Sequence, residues 1–344
     1  MENQRSFISS PVGLLKRHSL SYSQLINLGL NSFQKEDGVV EKIESLSFLH
    51  NIRITLDQLI ETKIFFSCLK GYSLSYRLYQ DPSIRKSKDL DIFIPDRDDV
   101  LKLSQILISK GWVSQGEWVN DVPRRNWFMD LKHELSLFNP ETGIWLEIHW
   151  ELDAHFLKFS QAERIRFGSK YVEKMEVMGR VINVLRPDFE LIYLLVHGAK
   201  HGWFRLKWLL DIHHYPFHLV DEGQFELLVK KFQAEILVAQ ANELLTRYFG
   251  KGFPITMKVK APDYVIKYAG MRIEGKIWDS RPSLKQFFQT LRYDFLLQKE
   301  PWKAFKRVFL RLGIRPQDIT EIKLNAFWKY YFYRYYSLLK RKVF

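Results

Sequence analysis

Between Ser21 and Glu61 the apolar positions Leu25, Ile26, Leu28, Leu30, Ile43, Leu46, Leu49, Leu56, Leu59 and Ile60 recur at spacings that predict short amphipathic helices. The period then changes. Ile64 to Leu69 is a short apolar run closed by Lys70-Gly71, which predicts a buried strand entering a tight turn and then a helix through about Tyr79. Asp81-Pro82 stops that helix. Leu90 to Ile94 alternates as a second strand ended by Pro95, and a helix runs from Asp96–Asp99 to about Lys110, before Gly111. His133 to Phe138 and Ile144 to Leu152 read as two further strands joined by the turn Asn139-Pro140-Glu141-Thr142-Gly143.

After about Asp153 the pattern is helical, near 160–168, 188–200, 204–218, 222–248, 262–275, 284–297 and 318–340, with one strand-like interlude from Val177 to Val184. The expected class is α+β: a helical lead-in over 1–62, a small mixed-sheet core over 63–153, and a mostly helical domain over 154–344. A length of 344 residues agrees with more than one packed unit, and 46% hydrophobic residues exclude a disordered chain. Cys68 stands alone, so no intrachain disulfide forms, and with no apolar leader or span in view the expectation is a cytoplasmic protein.

Charge changes the picture at one end. The net charge is +13, and residues 299–344 hold twelve Lys or Arg against three acids, a net of +9. In that segment Leu324, Phe327, Trp328, Tyr331, Tyr335 and Leu338 recur at helical spacing among Lys329, Arg334, Lys340, Arg341 and Lys342. The first reading is a core-packing stripe with solvated cations. An anionic membrane surface, which would make the protein peripheral to the membrane, and a polyanionic partner remain open beside it.

The sharpest chemistry is Asp89-Leu90-Asp91 on a predicted strand, where residues i and i+2 share a face about 6 to 7 Å apart. Two carboxylates so placed suit Mg²⁺, singly or as a pair of ions. Upstream, Lys70-Gly71-Tyr72-Ser73 at a strand-to-helix turn offers backbone N–H groups and a charge to phosphate oxygens. Downstream, alternation places Trp145, Glu147, His149 and Glu151 on one strand face, making Glu147 a candidate third carboxylate that His149 orients, unless that histidine is structural. His197 and His201 share a helix face, either lining the wall between two domains or touching nucleotide or acceptor. Asp211 beside Lys200, Lys207 and Trp208 reads as a structural ion pair at the same seam.

Leu69-Lys70-Gly71, Leu78-Tyr79-x-Asp81-Pro82, Arg85, Asp89-Leu90-Asp91-Ile92, Leu146-Glu147-Ile148-His149-Trp150 and the segment His197 to Trp203 together resemble the bacterial uncharacterised nucleotidyltransferases. That family is placed in the superfamily that includes DNA polymerase β, and the resemblance covers about residues 50 to 215. It implies a polymerase β-like core and a metal-dependent transfer of NMP, AMP from ATP by the superfamily's habit, to a protein, metabolite or RNA acceptor. Asp89, Asp91 and Glu147 would hold two Mg²⁺, Glu147 would help deprotonate the acceptor hydroxyl, and Gly71 with Ser73 would contact phosphates. The chain departs from the usual pattern: Tyr72 follows Gly71, and 18 positions separate Gly71 from Asp89. Lys70 and Arg85 are therefore candidates to replace missing phosphate contacts, the alternative for Arg85 being a pair with Asp81. A catalytically idle nucleotide-binding accessory protein and a D-x-D glycosyltransferase are the competing functions.

Overall fold

The computed structural model describes residues 11–30, 35–114, 121–153, 156–255, 258–277, 283–298 and 313–340. Seven strands form one mixed sheet: β1 Ser67–Cys68, β2 Asp89–Phe93, β3 Val113–Ser114, β4 Glu134–Asn139, β5 Ile144–His149, β6 Val172–Val177 and β7 Arg180–Leu185. Their order is β3-β4-β5-β2-β1-β7-β6. The longer described helices are α1 Lys35–Glu61, α2 Tyr72–Tyr79, α3 Arg97–Ser109, α4 Val122–Leu131, α5 Pro187–Lys200, α6 Leu206–His213, α7 Glu222–Lys231, α8 Glu235–Phe249, α9 Asp263–Ile273, α10 Leu284–Leu296 and α11 Lys329–Lys340. Sheet and helices make the α+β class that the sequence pattern implied.

Strand alternation divides the interior in two. Cys68, Leu90, Ile92, Leu146 and Ile148 point to a core closed by Leu49, Ile52, Leu56 and Leu59 of α1 and by Val100, Leu103 and Leu107 of α3. Leu69 and Phe93 point the other way, into a larger core shared with α5, α6, α8 and α9. Asp89 and Asp91 have the parity of Phe93 and so face the helical layer.

Several boundaries differ from expectation for identifiable reasons. No glycine or proline interrupts the chain between Val39 and Glu61, so α1 is one 27-residue helix where short ones were expected, preceded by Tyr22–Asn27 with its Ser21/Gln24 capping box. The interlude from Val177 to Val184 is part of a hairpin, because Met178 (φ 53) and Gly179 (φ 70) turn the chain between β6 and β7. Through the parallel pair Cys68↔Val184 this hairpin extends the sheet beyond Asp153. The helix expected over 222–248 is two, split where Gln233 adopts φ 53. The segment 318–340 is also split, into Pro316–Glu321 and α11. Tyr330 ties the two pieces together: its hydroxyl donates to Ile322 O (2.7 Å) and accepts from Leu324 N–H (3.2 Å). Leu324, Phe327 and Tyr331 lie against the α1 side of the sheet, and Tyr330 is buried there, while Arg341 and Lys342 lie outside the described residues.

Candidate active site

The site is built on two neighbouring strands. β2 and β5 run parallel with Asp91 opposite Glu147 and Asp89 opposite Trp145, so carboxylates 56 positions apart in the chain stand side by side. β4 pairs antiparallel on the far side of β5 and sets Glu134 opposite His149. The resulting cluster is Asp91, Glu147 and His149, each offering one ligand atom within 4.8 Å of the others. Asp89 occupies the same strand face at the mouth, where Ser87 Oγ donates to its backbone carbonyl at 3.1 Å.

Asp91 is buried, and both of its charged partners meet one oxygen: Lys70 Nζ at 3.1 Å and His149 Nε2 at 3.1 Å from Oδ1. Oδ2 is also buried and accepts no hydrogen bond among the described residues. Burial works against the carboxylate charge, but Lys70 and His149 outweigh it and hold the group well below the ordinary aspartate range. Burial likewise opposes the charge on Lys70, and Asp91 more than restores it. For Glu147 the His149 hydrogen bond favours the anion, yet burial and the charge of Asp91 prevail and raise its proton affinity. His149 Nε2 is 3.6 Å from Glu147 Oε2 and Nδ1 is 3.4 Å from Glu134 Oε2. Its burial opposes protonation, but the Asp91 and Glu147 hydrogen bonds push it up to about 9.

The two carboxylates stand side by side, with the cations Lys70 and His149 on Asp91 Oδ1 and the proton affinity of Glu147 raised by burial and the Asp91 charge. Asp91, Glu147 and His149 together make a donor set that suits a divalent cation, and Asp91 Oδ2 accepts no hydrogen bond among the described residues.

Lys70 leads into the Gly71 turn. Gly71 has φ 74, and a Cβ there would lie 3.1 Å from Ser87 Oγ, so the residue permits both the left-handed turn and the approach of the strand that carries Asp89. Ser73 lies in the first turn of α2, but its hydroxyl donates to Lys70 O at 3.1 Å. Arg85 is not on the acidic cluster. Its Nε and Nη2 donate to Asp211 Oδ1 and Oδ2 at 2.8 and 2.9 Å in a buried bidentate pair, whereas Asp81 accepts from Lys42 Nζ at 2.8 Å. The anticipated alternative of an Arg85–Asp81 pair is thereby corrected: the partner lies on α6, far away in the chain, and Asp211 is the structural ion-pair residue expected of it. Beside this pair Lys207 donates to the Lys86 carbonyl, and burial with the Arg85 charge pushes its ammonium well below the ordinary value.

His197 and His201 stand on and just after α5, with ring centroids 4.8 Å apart and each 5.1 Å from the Trp208 ring. Burial pushes both down, His201 to about 3, and Lys70 is among the cations that lower each. Gly198 lies between them because Trp203 packs onto the helix where a Cβ would come within 2.3 Å of its ring. Two participants escaped the sequence reading. Tyr193, buried, feels Lys70, Asp91 and Glu147, and burial raises its phenol. Its place one turn before His197 on the 193/197/201 stripe was the available signal. Glu134 shows only as a polar start to a strand, since its relation to His149 depends on register.

Comparison with known proteins adds a family. Residues 41–250 match the family described as uncharacterised nucleotidyltransferase, a span holding all the residues above. Among solved structures, the crystal structure of an antigenic nucleotidyltransferase-like protein from Paracoccidioides brasiliensis is similar at 13% identity and a TM-score of 0.35. The similarity covers 65% of this chain and 97% of that one. No curated protein matches.

Proposed function

The chain belongs to the uncharacterised nucleotidyltransferase family, and from that premise we propose that it is a metal-dependent nucleotidyltransferase of polymerase β-like type. It would move an NMP group, AMP from ATP, to a hydroxyl-bearing acceptor. The observation that carries the reading is the parallel register that sets Asp91 against Glu147, while buried Asp91 Oδ2 accepts no hydrogen bond among the described residues.

Asp91 and Glu147, with Asp89 at the mouth, would hold Mg²⁺, and His149 is a fourth donor or the group that orients them. When bound, the ion supplies charge neutralisation on the transferring phosphoryl group and a fixed orientation for it. The chain's own residues do the rest. Lys70 keeps a cation at the Gly71 turn, where phosphate oxygens would meet the first N–H groups of α2. Glu147 is half-buried with raised proton affinity, the property of a group that takes a proton from an acceptor hydroxyl near neutral pH. The His197, His201 and Trp208 rings pack together on the helical side and would give the site an apolar border.

A second reading has an observation of its own. Lys70 and His149 already neutralise Asp91 without any ion, which is the arrangement of a nucleotide-binding accessory protein that has no turnover. The experiment that separates the two is incubation of the full chain with α-labelled ATP and Mg²⁺ in extract, alongside Mn²⁺ binding followed by electron paramagnetic resonance. Transfer of label together with Mn²⁺ binding, both lost in Glu147→Gln, supports the enzyme. Nucleotide binding without transfer by any NTP supports the accessory role.

A further inference from the structure

The last described helix presents two unlike faces. Inward, Phe327 and Tyr330 pack on Trp127 with ring centroids 5.8 and 6.2 Å away, and Tyr330 is fully buried, so the rotation of α11 about its axis is fixed. Outward, Trp328, Phe332 and Tyr335 are 58%, 69% and 60% exposed. Trp328 directly precedes α11, Phe332 and Tyr335 lie three residues apart on it, and the Trp328 and Phe332 rings meet at 5.8 Å. Three large aromatic side chains held in water by a helix anchored on its other side cost solvation that a monomer has no structural reason to bear.

Charge indicates what covers them. Lys329 Nζ lies 5.8 Å from the Trp328 ring centroid, Lys323 is exposed just upstream, and residues 299–344 hold a net +9 of the chain's +13. The occupant must be apolar across the width of three aromatic rings and negative around them. Tryptophan and tyrosine favour the headgroup level of a bilayer, where an apolar ring and a polar tip are both satisfied, and lysines extend from there to lipid phosphates. Among the described residues no helix is long and apolar enough to cross a membrane, so α11 would lie along the surface. We propose that the Trp328, Phe332 and Tyr335 face docks on the surface of an anionic phospholipid bilayer, with the acidic site on the opposite side of the sheet from the docked helix. A duplex polyanion offers phosphate but no apolar face of this width, which favours lipid over nucleic acid.

The test uses the full chain and needs no turnover, so its outcome is separate from that of the proposed activity. The protein is floated with vesicles of phosphatidylcholine alone and of phosphatidylcholine mixed with phosphatidylglycerol, at low and high salt. The expected result is flotation with the anionic vesicles only, weakened by salt, and a fall of about tenfold or more in partitioning for the triple variant Trp328→Ser/Phe332→Ser/Tyr335→Ser. Because these side chains face water, the circular dichroism spectrum of that variant should match the parent. Lys323→Glu/Lys329→Glu, which keeps the rings, should weaken partitioning at low salt and converge on the parent at high salt. Failure of the parent to float, equal flotation with neutral vesicles, or a triple variant that floats as well as the parent would overturn the proposal. So would retention on single-stranded RNA through these residues with no affinity for vesicles.

Discussion

Two buried aspartates, Asp91 and Asp211, are equally hidden from water and differ in how they are completed. Asp211 gives one oxygen to each arm of the Arg85 guanidinium, so both of its oxygens accept a charge-assisted hydrogen bond. Asp91 takes two cations on Oδ1, and its Oδ2, beside a second carboxylate, has no donor among the described residues. Burial and charge alone do not separate a structural ion pair from a reactive site. Completion does: one guanidinium already satisfies both oxygens of the bidentate pair, whereas an oxygen without a donor beside a second carboxylate is where a cation would be accommodated.

The contrast can be broken most sharply at Asp91. Asp91→Asn should reduce nucleotidyl transfer by about a thousandfold, since it removes charge where a divalent ion contributes several kcal/mol. Because Lys70 and His149 then lose their counter-charge, folding is checked by circular dichroism, and a folded variant with parental turnover would refute the open-site reading. At the closed pair the effect should fall on stability. Asp211→Asn leaves Arg85 buried and unpaired, and should cost about 3 to 5 kcal/mol in urea denaturation, with Arg85→Met/Asp211→Leu recovering most of it. If the single variant unfolds at the parental midpoint, the pair is no brace.

Metal addition tests both clusters at once. Mg²⁺ at about a hundredfold its dissociation constant should add about 2.7 kcal/mol of stability to the parent. Glu147→Gln should lose that gain and Asp211→Asn should keep it, as read by the Tm difference with and without chelator. The smallest effect, about 2 kcal/mol at pH 5, should come from neither carboxylate. His18 accepts from Leu206 N–H through Nδ1 at 3.1 Å, and burial, with the Arg17 charge, pushes it down to about 4. The unfolded chain therefore binds the extra proton between its ordinary value and 4, so stability is complete above that ordinary value and declines as pH falls through this window. His18→Gln should flatten the decline in a series of thermal melts, and an unchanged slope would place its cause elsewhere.

Much of the open cluster was legible in the chain and little of the closed one. A period of two is enough to put Asp89 with Asp91 and Glu147 with His149, and β2 and β5 show those faces. Which strands lie side by side is a matter of register, set by long-range packing, so neither the Asp91–Glu147 pairing nor the role of Glu134 had a local signature. Arg85 illustrates the limit: Asp81 is a near neighbour in sequence, but the partner is Asp211, on a helix of the second core. The C-terminal stripe was visible as a stripe, yet its division into an anchored and an exposed side came from Tyr330, which is out of phase with the residues that drew attention.

The parallel pairing of β2 with β5 has a consequence for how the chain matures. Asp89 and Asp91 are made early, but their neighbour Glu147 arrives only after α3, β3, α4 and β4 have been threaded between them. Nascent or truncated products ending before Ile144 carry both aspartates but neither Glu147 nor His149, so the facing carboxylates exist only in chains extended through β5.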